Sequence, residues 1–303
     1  MQPVIDVVLP VFGLIFAGLL AGYFRILGPE SSEALNRFVY YFALPALLFL
    51  GMARVPIERV VNLPFIAVYF GGAATVFIGF AVLARVVFAG RPAALALGGL
   101  ASVFGNSGYM GIPLFLTAFG PEGALPAIIV TVLNSAVVIG VVVVMVELDL
   151  STRGGLGAAL IDVAKALATS PLVVAPVAGL AWSGAGMGLA TPVATFGDLM
   201  GAAAGPCALF AIGLFLASRP VATLVGGAKA AEVGVVIGLK LVVQPLLTWA
   251  LAAWVGLEPF WTASAVILAG LPTGALAFVV ASRYGLYVER ASAAILGSSV
   301  ISV

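Results

Sequence analysis

Two short stretches of the chain combine residue types that could hold a polar ligand inside an apolar environment. The first, FGNSGYMGIPL at 104–114, puts Gly105, Asn106, Ser107, Gly108, Gly111 and Pro113 within nine positions of an otherwise Ala/Val/Leu/Ile-rich run. Every one of these residues weakens a helix. An interrupted helix exposes backbone N–H groups, and Asn106 adds a side-chain amide that can donate to a carboxylate or cap loose backbone. Ser107 offers a hydroxyl that either meets a ligand or bonds back to its own helix. Tyr109 is placed to stack on a ring or to pack against neighbouring helices. The second stretch, GLPTG at 270–274, supplies Pro272, Thr273 and Gly274 in the same kind of setting, the Thr273 hydroxyl carrying the same two readings as Ser107.

Three further groups bear on charge. Lys240, in VVIGLKLVVQPLL, lies about 11 Å inside an apolar run, with Gln244 one turn away on the same face. Its ammonium could neutralise a carboxylate or alternate with a coupling ion, or it could snorkel to the interface. Asn134 sits in mid-run, lining a cavity or bonding a neighbouring helix. Asp198, roughly 9 Å inside its run, is the one partly immersed carboxylate and the candidate for a protonation switch, or else a residue at a helix end or cavity mouth.

The elements that must position these residues are membrane helices. The chain is 63% hydrophobic and 8% charged, with mean hydropathy +1.25, far from a soluble domain of this length. Its apolar runs are about 20 residues long and do not alternate, so they read as helices, not barrel strands. Ten runs are expected, at about 4–24, 34–53, 64–88, 93–119, 124–147, 170–188, 192–217, 233–255, 259–284 and 288–303. The tenth, stopping at Val303, reads either as a short terminal helix or as a run cut there. Met1-Gln2-Pro3 offers no basic region for a signal peptide, so the first run is expected to serve as its own targeting signal.

Alternate connections carry Arg25 and Arg37, Arg85 and Arg91, Arg153 and Lys165, Arg219 and Lys229, and Arg283 and Arg290; the opposite set carries only Arg54 and Arg59. The positive-inside rule then puts the N-terminus outside. The 149–169 stretch, with Asp162 and Lys165 on a polar side, is expected to be a cytoplasmic connector between two five-helix halves, 1–148 and 170–303.

Those halves look like inverted repeats. Pro45-Ala-Leu-Leu-Phe49 in the second run matches Pro206-Cys-Ala-Leu-Phe210 in the seventh, each followed by a Gly and then an Arg, Arg54 or Arg219. Asn106-Ser-Gly108 in the fourth matches Pro272-Thr-Gly274 in the ninth, each leading to an aromatic-Gly pair, Phe119-Gly120 or Tyr284-Gly285. An odd offset of five runs reverses direction across the bilayer, and paired interruptions near the midplane are the pattern of a secondary transporter.

Three stretches, 35–49, 104–114 and 270–285, resemble the auxin efflux carrier family, which includes the plant PIN-type carriers and bacterial relatives known as malonate or malate permeases. The resemblance covers essentially the whole chain except the connector. It implies an all-α integral membrane protein with a bile-acid-symporter-like (NhaA-like) fold: ten transmembrane helices in two inverted repeats of five, with crossed, broken helices 4 and 9. It also implies a scaffold of helices 1, 2, 6 and 7, a transport part of helices 3–5 and 8–10, elevator-type transport of small organic anions, and a homodimer. Asn106 takes the position of the family's substrate-contacting Asn, with Pro272 at the second break; Thr273 stands where many plant members have a longer amide.

Other function classes fare poorly. With no His and one Cys, Cys207, the chain lacks the means for a disulfide or the usual zinc cluster. Nucleotide-loop, GxSxG and HExxH motifs are absent, which disfavours an enzyme, and no cofactor or nucleic-acid partner is expected. Coupling to H+ or Na+ stays open. A cation exchanger on the same scaffold is disfavoured by the lack of a deep carboxylate pair, and a non-transporting receptor by the lack of a signalling module. The location expected is the cell membrane, multi-pass.

Overall fold

The computed structural model describes residues 2–55, 62–88, 90–150, 161, 164–165, 168–217 and 228–302. These are helical throughout, apart from turns and one isolated β-bridge. The helices are α1 (Gln2–Tyr23), α2 (Pro29–Ala53), α3 (Leu63–Val87), α4 (Pro92–Val103), α5 (Ile112–Gly123), α6 (Leu125–Leu133), α7 (Ile139–Leu150), α8 (Pro171–Gly184), α9 (Thr191–Ala202), α10 (Ala204–Ala217), α11 (Lys229–Val255), α12 (Pro259–Gly270), α13 (Leu276–Tyr284) and α14 (Val288–Ile301). Among the described residues, four helical stretches are long and apolar enough to cross a membrane: Pro29–Ala53, Leu63–Val87, Thr191–Ala211, which runs from α9 into α10, and Lys229–Val255. Most of the expected connector, including Arg153 and Asp162, and also Arg59 and Arg219, lie outside the described residues.

The fourth and ninth apolar runs each resolve into two helices, α4/α5 and α12/α13. Pro272 explains the second interruption, because the residue before a proline is pushed out of helical geometry; Leu271 is extended, with φ −62° and ψ 147°. At the first, Phe104 turns extended (φ −79°, ψ 95°) ahead of Gly105. The aromatic-Gly pairs mark further turns, with Gly120 at φ +74° and Gly285 at φ +63°, left-handed values that glycine adopts without a Cβ clash.

Prolines inside apolar helices have a different solution. Pro45 in α2 and Pro245 in α11 each follow a five-residue π-turn, Val39–Ala43 and Leu239–Val243. A proline in a helix donates no N–H and collides with the carbonyl four residues back. The turn ahead of each proline is widened to five-residue spacing: Leu44 N–H reaches Val39 O and Gln244 N–H reaches Leu239 O. A third π-turn, Asn134–Val138, joins α6 to α7.

The chain divides into two compact units, each assembled from three separate segments. The first comprises Met1–Val61, Gly108–Val132 and Ala168–Val221. Within it α1 packs on α10, and α2 packs on α8 and α9. Small residues allow these approaches: a Cβ on Gly201 would lie 3.1 Å from the Leu47 Cα, and one on Gly18 would fall on the Phe210 carbonyl. The second comprises Asn62–Ser107, Leu133–Leu167 and Ala222–Val303. There α3 packs on α4 and α11, α11 on α12 and α14, and α4 on α7 and α13.

Candidate functional site

The second unit contains the interruption at Leu271–Ala275 and the first interruption as far as Ser107, and there the two touch. Asn106 N–H donates to Pro272 O at 2.9 Å and Gly274 N–H to Phe104 O at 2.8 Å, while Gly105 and Thr273 face each other as an antiparallel bridge. Two broken helices thus complete each other's backbone hydrogen bonding where water is scarce. Both glycines are required by closeness. A Cβ on Gly274 would lie 2.8 Å from the Phe104 ring and 3.0 Å from Gly105 O; one on Gly105 would lie 3.0 Å from Leu268 O.

The C-terminal ends of α4 and α12 would leave bare carbonyls, and buried side chains meet them. Thr273 Oγ1 donates to Ala101 O at 2.9 Å, and Thr273 N–H donates to Ser298 Oγ on α14 at 3.0 Å. Gln244 Nε2 donates to Val103 O at 3.3 Å. Lys240 Nζ donates to Gln244 Oε1 at 2.8 Å and to Ala269 O. Lys240, Gln244 and Thr273 are fully buried, so the ammonium does not snorkel. A helix C-terminus carries about half a negative charge, so two of them roughly balance one ammonium.

Asn106 is buried, and its Oδ1 accepts no hydrogen bond among the described residues. The same holds for Asn134 Oδ1, whose Nδ2 lies 3.4 Å from the Tyr69 hydroxyl on α3, and for the hydroxyls of Thr248 and Ser264. An amide presents one acceptor and two donors, and an orphaned buried polar atom costs about 1–3 kcal/mol. Ser107 is buried beside Asn106 in the chain.

Other expected site residues belong to the first unit. Gly108 packs against Thr131, where a Cβ would lie 3.2 Å from Cγ2. Tyr109 is buried with its hydroxyl unpartnered among the described residues, its ring in contact with the Gly205 position. Pro113 is the second residue of α5. Asp198 on α9 makes a two-pronged ion pair with Arg54 at the end of α2, both bonds 2.7 Å, beside a cavity of about 120 Å³ lined by Leu47, Gly51, Ile112 and Ile128. Sequence reasoning did not single out Ser298, Tyr69, Thr248 or Ser264; a lone polar residue in a long apolar run was the available signal.

The family model described as "Membrane transport protein" matches residues 3–153 and 156–303. A Rhizobium meliloti (strain 1021) protein named "Putative malonate transporter" is 33% identical over 304 residues, covering 100% of this chain and 93% of its own length. An "Uncharacterized transporter" of Methanothermobacter thermautotrophicus is 26% identical, covering 98% of this chain and 94% of its own. A Methanocaldococcus jannaschii transporter is 32% identical over 130 residues, 41% of each chain.

Proposed function

Because the chain belongs to the membrane transport protein family, the auxin efflux carrier family, and is a multi-pass cell-membrane protein, we propose that it is a secondary transporter of small organic anions. The observation that carries this reading is the asymmetry of the paired interruptions. Their C-terminal ends are met by Lys240, Gln244 and Thr273, whereas neither α5 nor α13 has an acidic residue in its first turn. A helix N-terminus is an anion site in the making. In this reading a substrate carboxylate sits at the start of α13, near Gly274 and Ala275, and takes a hydrogen bond from the Asn106 amide.

Lys240 and Gln244 then hold the break open and keep the local charge near zero, so that one added carboxylate is not repelled. Asn134 and Ser107 complete the proposed binding region within the second unit, with Asp198 the coupling candidate and H+ or Na+ the coupling ion. The malonate in a relative's name puts short dicarboxylates at the head of the substrate list. Ten helices in two inverted repeats, N-terminus outside, an elevator movement and a homodimer belong to the same proposal. The backbone joint between Phe104–Asn106 and Pro272–Gly274, held within one compact unit, supports it.

The test is uptake into proteoliposomes of labelled malonate, malate and aromatic acids, with and without pH and sodium gradients. Saturable uptake of at least one acid, lost in Asn106→Ala but kept in Asn62→Ala, is the expected result. No uptake of any acid by folded protein overturns the anion reading, and uptake unchanged in Asn106→Ala overturns the site.

A further inference from the structure

A groove on the second unit, formed by α3, α4, α7 and the Asn134–Val138 π-turn, has a volume of about 720 Å³. Its lining is apolar, including Phe70, Phe77, Ile78, Val82 and Val141, except at one end, where Arg85 stands in the last turn of α3. Ile78, Val82 and Val86 are 62%, 60% and 78% exposed, so one wall is a continuous helical stripe facing outward. The floor reaches Val103 and Val138, and Val103 is the last residue of α4, whose carbonyl receives Gln244.

Length and charge identify the occupant. From Phe70 to Arg85 the groove runs roughly 22 Å at 1.5 Å per residue, enough to span the ~15 Å of one leaflet's share of a ~30 Å hydrocarbon core. Arg85 donates to Gly90 O at 3.2 Å, which engages one of its five N–H donors. Among the described residues it forms no ion pair, while its neighbour Arg91 is bound to Asp149 at 2.8 Å. A guanidinium without an ion pair among the described residues, at the end of an apolar channel long enough to span one leaflet, matches a phosphate on an acyl chain.

We propose that this groove holds one acyl chain of an anionic bilayer phospholipid, with its headgroup phosphate on Arg85. The tail lies against Val103 and Val138 and fills space beside the last residue of α4, so lipid occupancy stiffens the end of that helix. The proposal stands independently of what the protein transports.

Native mass spectrometry of the full chain in mild detergent, titrated with phosphatidylglycerol or phosphatidylcholine, tests it. The wild-type protein should retain one phosphatidylglycerol at about fivefold lower lipid concentration than phosphatidylcholine, the size of one basic contact. Arg85→Gln should erase that preference while Arg85→Lys keeps it, and Ala81→Phe, which fills the groove, should weaken both lipids. A wild type without preference, or Arg85→Gln and Ala81→Phe variants that bind like it, overturns the proposal. So does an Ala81→Phe variant whose oligomeric mass changes while its lipid adducts do not, which would make the groove a contact between copies of the chain.

Discussion

Asn106 and Pro272 are joined backbone to backbone, the amide of one helix interruption donating to the carbonyl of the other at 2.9 Å. Pro272 contributes through what it lacks as well. It has no N–H to leave orphaned, it forces Leu271 extended, and it leaves its carbonyl pointing at the partner strand. The pair makes the interruption a structural joint whose parts can be altered singly.

Removing the buried ammonium should cost stability. Lys240→Met leaves Ala269 O and Gln244 Oε1 without their donor, and hydrogen bonds to charged groups contribute about 1.5–3 kcal/mol. A melting temperature lowered by several degrees in detergent is expected. Lys240→Arg should not restore it, because the site is fully buried and shaped for a slender chain. Unchanged melting in Lys240→Met would show that the C-terminal carbonyls do not depend on it.

Glycine substitutions at the bridge should be graded. Gly274→Ala meets both the Phe104 ring and the Gly105 carbonyl, whereas Gly105→Ala meets Leu268 O and the more yielding Lys240 side chain. Overpacking of this kind costs about 1–3 kcal/mol, with Gly274→Ala the worse. Gly238→Ala, with nothing within 4 Å of the new Cβ, should be neutral or slightly stabilising. Equal melting temperatures for all three would contradict the close approach.

The Thr273 hydroxyl and backbone can be separated. Thr273→Val keeps the shape and the N–H donated to Ser298, but loses the bond to Ala101 O. The expected loss is about 1–2 kcal/mol, and Thr273→Ser should recover most of it. Serine no better than valine would place the effect in packing instead of the hydroxyl.

Arg54 and Asp198 should behave as one group. Their side chains are 46% and 54% exposed, and such pairs contribute about 1 kcal/mol or less. In a double-mutant cycle, Arg54→Gln and Asp198→Asn should each cost little, and the double variant no more than either. If uptake becomes insensitive to ion gradients in Asp198→Asn but not in Arg54→Gln, the carboxylate acts in coupling apart from its ion pair.

Much of this arrangement could be read from residue types. Gly105, Asn106 and Pro272 announced the interruptions because each is a poor helix former with a known local preference. Lys240 and Gln244 were legible as a pair because they are four apart on one helix. What they hold was not. Ala269 O and Val103 O are backbone atoms, identical in every residue, and their need for a donor arises only where the helices stop. Ser298 was hidden for a related reason, since a serine in an apolar helix usually bonds its own turn, as Ser298 also does with Ile295 O at 3.2 Å. The π-turns before Pro45 and Pro245 were accessible in principle, because a proline within a long apolar run demands some accommodation.

Each unit's assembly from three separated segments sets an order of events during synthesis. Thr273 and the Ala101 carbonyl it caps are 172 residues apart in the chain, so the end of α4 leaves the ribosome long before its partners exist. At about 5–20 residues per second, that is a wait of roughly 10–30 s. Through that interval the unpaired backbone at Phe104 to Asn106 must find temporary partners, in water, lipid headgroups or an insertion chaperone. The joint of the two interruptions is therefore also a point at which biogenesis is exposed to failure.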